Sequence, residues 1–478
     1  LVIRAEDQPL DLAQPRGKQD WREEPHAIWY HRTTGIWQPI WLEAVQPTHI
    51  TNLRWTPSTE PGGLGLDLTL RREHDRPVRA RVRLSLHGRT LVDDTYAVEG
   101  TQVSRGMVLT PAGTGLDAEH LFWSPEHPNL IEAVVSLIEE GAVLDEVHSY
   151  AGLRSVSTGN GRFHLNGRPI YLRMALHQGY WPESHLAAPS AQALRREVEL
   201  ARELGLNGLR IHQKVEDPRF LYWCDRLGLL VWGEMANAFI FTGDAVTRLT
   251  HEWPAVVARD YSHPCIVAWT PLNESWGVPN LPGDAAQRHF LQSLYHLTKT
   301  LDPTRPVIGN DGWEQLETDI FGIHDYSFSG PTLTHRYASP AALATTLAQV
   351  QPSRRVLSLT GAVPEGTPFM LTEFGGISYR PQTGEQWFGY GTVGDGPTYL
   401  AKYKELVEAV LACAPLAGFC YTQLTDTRQE TNGLLTEQRE HKLDPAAVRA
   451  ITQGHAASLA GDVIVHMQKN PGVAPGSE

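Results

Sequence analysis

From about residue 155 onward the chain repeats one pattern: a short apolar run, a turn, an amphipathic stretch, and then another apolar run. The runs cover 169–176, 207–212, 229–234, 265–274, 306–309, 319–324, 368–374 and 416–421. Several are rich in Val, Ile and Leu without alternation, as expected for strands buried on both faces of a parallel sheet. The intervening stretches have helical periodicity. Leu194, Val198 and Ala201 share one stripe ahead of a Gly205 cap, and a second helix ends at Gly228. A long helix is predicted over 285–301, and Tyr399, Tyr403, Leu406 and Val410 mark one face of another. Eight such units in about 300 residues fit a (β/α)8 barrel. A doubly wound open sheet is the alternative, disfavoured by the count of eight and by the lack of a Gly-rich phosphate loop.

The chain before the barrel reads differently. Residues 43–154 carry short alternating runs, such as 64–70 and 82–86, separated by turn signals at 61–63, 87–88 and 111–113. That rhythm predicts an immunoglobulin-like β-sandwich, serving mainly as a scaffold. Residues 1–42 cannot bury a core of their own. Strands are expected at 1–5 and 35–43, as the remnant of a larger amino-terminal β-domain. The expected division is therefore 1–42 remnant, 43–154 sandwich, 155–461 barrel and 462–478 tail.

Composition narrows the function. A net charge of -13 and no Lys/Arg cluster argue against a nucleic-acid partner. No apolar run is long enough to span a membrane. Four cysteines without CxxC spacing, all in apolar stretches, suggest a reducing compartment, so a cytoplasmic location is expected. The chain opens at Leu1 rather than Met, so the lack of a visible signal peptide carries little weight. No His/Asp/Glu cluster has metal-ligand spacing and no Ser-His-Asp set is apparent; neither metal nor cofactor is expected.

Two predicted strands run into a glutamate in a Trp/Phe/Gly setting, Glu274 in Trp269-Thr270-Pro271-Leu272-Asn273-Glu274-Ser275-Trp276 and Glu373 in Thr372-Glu373-Phe374-Gly375. An ionisable group at the mouth of a buried strand is costly unless something uses or neutralises it. In a barrel the strand ends converge on the carboxyl-terminal face, so both carboxyls should meet over one cleft. Glycoside hydrolysis uses such a pair, about 5–5.5 Å apart for retention and about 6.5–9.5 Å for inversion. Glu234, ending the third strand, is a third candidate, for the pair or for a supporting charge, and the residues alone leave that choice open.

The Trp269–Trp276 stretch resembles the acid/base motif of glycoside hydrolase family 2, the β-galactosidase and β-glucuronidase family. Thr372–Gly375 resembles its nucleophile motif. Leu121–Leu130 is similar to its sandwich-to-barrel signature, and Gly35–Glu43 to the end of its sugar-binding domain. The resemblance implies a retaining mechanism with Glu274 as acid/base and Glu373 as nucleophile. It also places Asn273 against the sugar 2-hydroxyl and Arg210 against the nucleophile's charge. His212, Tyr326 and Tyr421 fall at positions where the family has pocket residues. Gln178, Trp181, Trp276 and His324 complete the candidate pocket, the two tryptophans as stacking faces for a sugar.

The chain also departs from that pattern. Of the amino-terminal sugar-binding domain only the last strands are recognisable in this sequence, and the Asn-x-Lys pair that holds a uronate in β-glucuronidases is not apparent at Thr431-Asn432-Gly433. The expectation is a retaining exo-glycosidase on a terminal β-linked sugar, β-galactoside ahead of β-glucuronide. Its partner would be a carbohydrate, with homo-oligomerisation left open. The alternative is a carbohydrate-binding or scaffold protein that has lost turnover.

Overall fold

The computed structural model describes residues 1–59, 62–109, 119–361, 363–379 and 390–459. The tail expected from 462 lies outside these residues.

Seven strands form the sandwich. His49–Ser58, Gly63–Arg71 and Gln102–Val108 make one sheet. The other runs in the order Arg89–Val98, Val78–Leu86, Ile131–Glu139, Ala142–Ala151. The period-two pattern sets which face is buried. Val78, Ala80, Val82, Leu84 and Leu86 point inward, and Leu64, Leu66, Leu68 and Leu70 meet them from the facing sheet. On the outer face Arg81 pairs with Asp93 at 2.7 Å.

The barrel strands are Leu172–His177, Gly208–Ile211, Leu230–Glu234, Ile266–Thr270, Asn310–Asp311, Phe321–Asp325, Phe369–Gly375 and Leu416–Thr422. Seven are hydrogen-bonded in the order four, three, two, one, eight, seven, six, all parallel. The short fifth strand fills the gap: Val307 bridges Trp269, and Asn310–Asp311 pairs with Leu272–Asn273. The architecture is thus the sandwich followed by a (β/α)8 barrel that the sequence predicts. Helices Ala191–Glu203, Pro218–Leu227, Ala285–Leu301 and Gly396–Leu411 fall where the periodicity put them. Gly228 caps the second in the left-handed conformation that glycine tolerates best.

The Leu121–Leu130 signature joins the two units. Trp123 is buried and donates from Nε1 to the Asp225 carbonyl at 2.7 Å, while Arg154 donates to the Pro264 and Ile266 carbonyls.

The amino-terminal segment differs from expectation. Neither 1–5 nor 35–43 is a strand, and Ile36, Ile40, Trp41 and Leu42 are exposed. Strand propensity takes effect only against a neighbouring strand, and these stretches pair with no strand among the described residues. The segment instead lies irregularly across the carboxyl-terminal face of the barrel. Gly17 donates its amide to the Asn237 carbonyl, Phe239 to the Leu12 carbonyl, and Gln429 reaches the Ala27 and Trp29 carbonyls. Gly17 has φ +58°, and a Cβ there would come 2.0 Å from the Gln213 carbonyl oxygen, so the close approach requires glycine.

Candidate active site

Glu373 sits inside the seventh strand, in register with His324 of the sixth. Glu274 lies beyond the end of the fourth strand. After Thr270 the chain passes through Leu272–Asn273, and Glu274 and Ser275 then both take positive φ, +53° and +58°. Two consecutive non-glycine residues in the left-handed region are strained and must be held there. The Glu274 amide donates to the Asp311 carbonyl at 2.9 Å and the Ser275 amide to Asn310 Oδ1 at 2.9 Å. This bend turns the Glu274 carboxyl into the barrel mouth.

A Glu274 oxygen, a Glu373 oxygen and a His324 nitrogen all lie within 4.8 Å of one another. The Glu274 side chain is 16% exposed and that of Glu373 5%. One carboxyl therefore looks out toward solvent while the other sits deep.

Arg210 from the second strand is the hub beneath them. Fully buried, it lies 2.6 Å from Asp311, 2.8 Å from Glu234 and 3.2 Å from Glu373, and donates to Asn273 Oδ1 at 2.6 Å. Burial works against its charge, but Asp311, Glu234 and Glu373 outweigh that and hold its pKa well above the ordinary value. Asp311 is buried too, yet the Arg210 guanidinium and His324 bring it down to about 2. Burial pushes Glu234 up, with Arg210 opposing.

His324 bridges the pair, its Nδ1 2.7 Å from Glu274 and its Nε2 3.3 Å from Asp311 and 3.5 Å from Glu373. Burial disfavours its charge, but the Glu373 charge and the hydrogen bonds to Asp311 and Glu274 raise it to about 10. At neutral pH it is therefore an imidazolium that donates from both nitrogens. His212 behaves oppositely: burial drives it well below the ordinary value, so it is neutral. Its Nδ1 lies 3.1 Å from Glu234 and 3.9 Å from Glu373.

Tyr326 donates its hydroxyl to Glu373 at 2.5 Å, meets Thr422 Oγ1 at 3.1 Å, and stacks on Tyr390 with ring centroids 3.4 Å apart. Asn273, fully buried, has an Nδ2 with no partner among the described residues. An unused buried donor beside two carboxyls invites an acceptor on a ligand.

The remaining sequence candidates are placed less centrally. Trp276 is half-buried at the mouth, stacked on Trp29 of the amino-terminal segment with centroids 5.9 Å apart. Gln178 is buried with an unpartnered Oε1. One face of Trp181 is covered by the Arg439 guanidinium at 3.7 Å and is not free for stacking. Tyr421 is a correction. Its hydroxyl accepts from the Ile377 amide and meets Tyr399, and its ring packs on Phe374 and Tyr403 in the core. Strand alternation turns it away from the mouth, and the next residue, Thr422, reaches Tyr326 instead.

Asp311, Thr422, Lys18, Tyr30 and Glu430 were not foreseen. The strand-end rule applied to the fifth strand would have found Asp311. Lys18, Tyr30 and Glu430 lie in irregular segments that carry no periodic signal.

The Glu274–His324–Glu373 set is spaced to hold a metal but poorly suited to one. The Arg210 guanidinium, 3.2 Å from Glu373, already meets that carboxylate's charge and opposes a second cation there.

The fold and site together define a sandwich-plus-barrel protein whose barrel mouth presents the paired carboxyls of sugar-cleaving enzymes. A sequence model described as the TIM barrel domain of glycosyl hydrolases family 2 matches residues 156–375, and a second, described as glycosyl hydrolases family 2, matches 48–154. The chain belongs to that family. It is 28% identical over 317 residues to a β-galactosidase of Pectobacterium atrosepticum, covering 62% of this chain and 29% of the relative. The fold is similar to that of a β-galacturonidase from Eisenbergiella tayi solved with galacturonate (TM-score 0.66, 20% identity, 86% of this chain and 73% of that one). It is also similar to β-glucuronidase 2 of Bacteroides uniformis (TM-score 0.68, 18% identity, 86% and 52%). The chain spans between 29% and 42% of the length of the first relatives it matches. Among the described residues no helix is long and apolar enough to cross a membrane.

Proposed function

We propose that this protein hydrolyses a terminal β-linked sugar with retention of configuration, Glu373 acting as nucleophile and Glu274 as acid/base. The observation that carries this reading is the approach of the two carboxyls, with oxygens within 4.8 Å. That close approach favours direct attack over the wider separation at which an inverting enzyme seats a water between its carboxyls. Glu373 attacks the anomeric carbon while Glu274 gives its proton to the departing oxygen. Glu274 then takes a proton from water, which displaces Glu373 and releases the sugar.

The surrounding groups support these roles. Arg210 and Tyr326 hold the attacking carboxylate in place and oppose its negative charge. The free Nδ2 of Asn273 can reach a sugar hydroxyl next to the reacting carbon. The amino-terminal segment over the mouth suits exo action on one terminal residue. Galactoside and glucuronide remain the two candidate sugars from sequence.

A panel of nitrophenyl β-glycosides tests the proposal, with the configuration of the first-formed product read by proton NMR. Glu373→Gly should be inactive and be rescued by azide to an α-glycosyl azide, the product of a single displacement. Sugar binding without turnover in the wild-type chain would instead support a non-catalytic carbohydrate-binding protein.

A further inference from the structure

Lys18 of the amino-terminal segment is buried, only 6% exposed. Its ammonium lies 5.7 Å from the centroid of the Trp276 ring and 5.8 Å from that of Tyr30. Among the described residues no carboxylate comes within 4.0 Å of it and no hydrogen-bond acceptor is seated on it. Other buried lysines are paired: Lys214 lies 3.0 Å from Glu216 and Lys442 2.5 Å from Asp426. An ammonium at the end of a mostly buried side chain, with no partner among the described residues, keeps its charge unmatched, and ring faces nearly 6 Å away meet only part of it.

Lys18 lies beside the carboxyl pair, over the ring of Trp276, two residues on from Glu274. Its field reaches His212, which lies 3.9 Å from Glu373, and it reaches Glu430. Glu430 does not neutralise it. That carboxylate accepts the Tyr30 hydroxyl and stands more than 4.0 Å from the ammonium. Among the described residues the mouth thus offers one unpaired cation, with a carboxylate and a phenol beside it suited to binding hydroxyls.

We propose that Lys18 determines specificity by pairing with a carboxylate on the terminal sugar, so that the sugar released is a uronic acid rather than a neutral hexose. A sugar hydroxyl could fill the hydrogen-bonding capacity of the ammonium but would leave its charge unmatched; a carboxylate meets both needs. This assignment rests on the glycosidase reading above and reverses the order of sugars taken from sequence. That order followed from an Asn-x-Lys pair missing late in the barrel, whereas the cation here arrives from residue 18.

The test compares kcat/KM of the full chain for nitrophenyl β-glucuronide and β-galacturonide with that for the β-glucoside and β-galactoside. The wild type should favour a uronide over its neutral counterpart by about a hundredfold or more. Lys18→Met should lower that ratio by a similar factor, mostly through KM, and Lys18→Arg should restore part of it. A wild type that prefers the neutral sugar overturns the proposal whatever the variants do. So does a Lys18→Met chain that loses acidic and neutral activity equally, the mark of a lysine that only docks its segment. If no glycoside turns over, the glycosidase reading fails, and calorimetry with free glucuronate and galacturonate then decides the role of Lys18. Binding lost in Lys18→Met upholds the pairing; equal binding, or none to the wild type, overturns it.

Discussion

Replacing Asp311 by Asn changes one charge and almost nothing else. The amide has the volume of the carboxylate and can turn its oxygen toward Arg210 and its nitrogen toward Thr372, whose hydroxyl now donates to Asp311 at 2.8 Å. What disappears is the negative charge 2.6 Å from Arg210 Nη1 and 3.3 Å from His324 Nε2. With an effective dielectric of about 20, the first attraction alone is about 6 kcal/mol gross. Desolvation already offsets part of this, and breaking a buried pair from one side costs about 3–5 kcal/mol net. We expect Asp311→Asn to lose stability in that range at pH 7, read as a lower urea midpoint in the tryptophan fluorescence of the barrel. The sign with pH follows from the depressed pKa. Asp311 titrates at about 2 in the folded chain against an ordinary 3.8, so its contribution is complete above about pH 4 and is lost as the pH falls toward 2. The variant should therefore lose least, relative to wild type, at the acid end. A loss under about 1 kcal/mol at pH 7 would refute the reasoning, because Arg210 would then have its charge met by Glu234 and Glu373 alone.

Three further outcomes are expected. The pKa of His324 is raised to about 10 from an ordinary 6.5, so its stabilisation is complete below about pH 6.5 and lost as pH climbs to 10. Stability measured by urea titration should fall by roughly 5 kcal/mol across that window and flatten in His324→Gln. Tyr326→Phe removes the hydroxyl donated to Glu373, and kcat should drop by about 10- to 100-fold with little change in KM, as measured on the best nitrophenyl glycoside. Gly17→Ala drives a methyl into the Gln213 carbonyl at a positive φ, so the segment over the mouth should loosen. Limited proteolysis near residue 17 should quicken and KM should rise; unchanged values for both would show that the segment does not depend on this approach.

Much of the site could be read from sequence, because the relevant information is local. A strand's period and its end point can be read from a handful of neighbouring residues, and barrel geometry then places every strand end at one mouth. Glu274, Glu373, Arg210 and His324 come together on that argument, and Asp311 would have followed from the same rule. Tyr421 shows where it breaks down. Its strand was recognised, but one step of alternation separates a residue in the mouth from one in the core, and in a strand buried on both faces the sequence does not say which is which.

What the sequence by itself determined was the sandwich, the barrel and the two acidic strand ends. Only the tertiary structure decided what covers them. Tyr30 meets Glu430 across 400 positions of chain, and Lys18 reaches the mouth in a segment without regular structure. Such meetings depend on how an irregular stretch docks on a finished barrel, and neither hydrophobic period nor residue spacing encodes that. A lysine in a loop looks like any solvated lysine until the fold buries it, and its missing partner becomes visible only then.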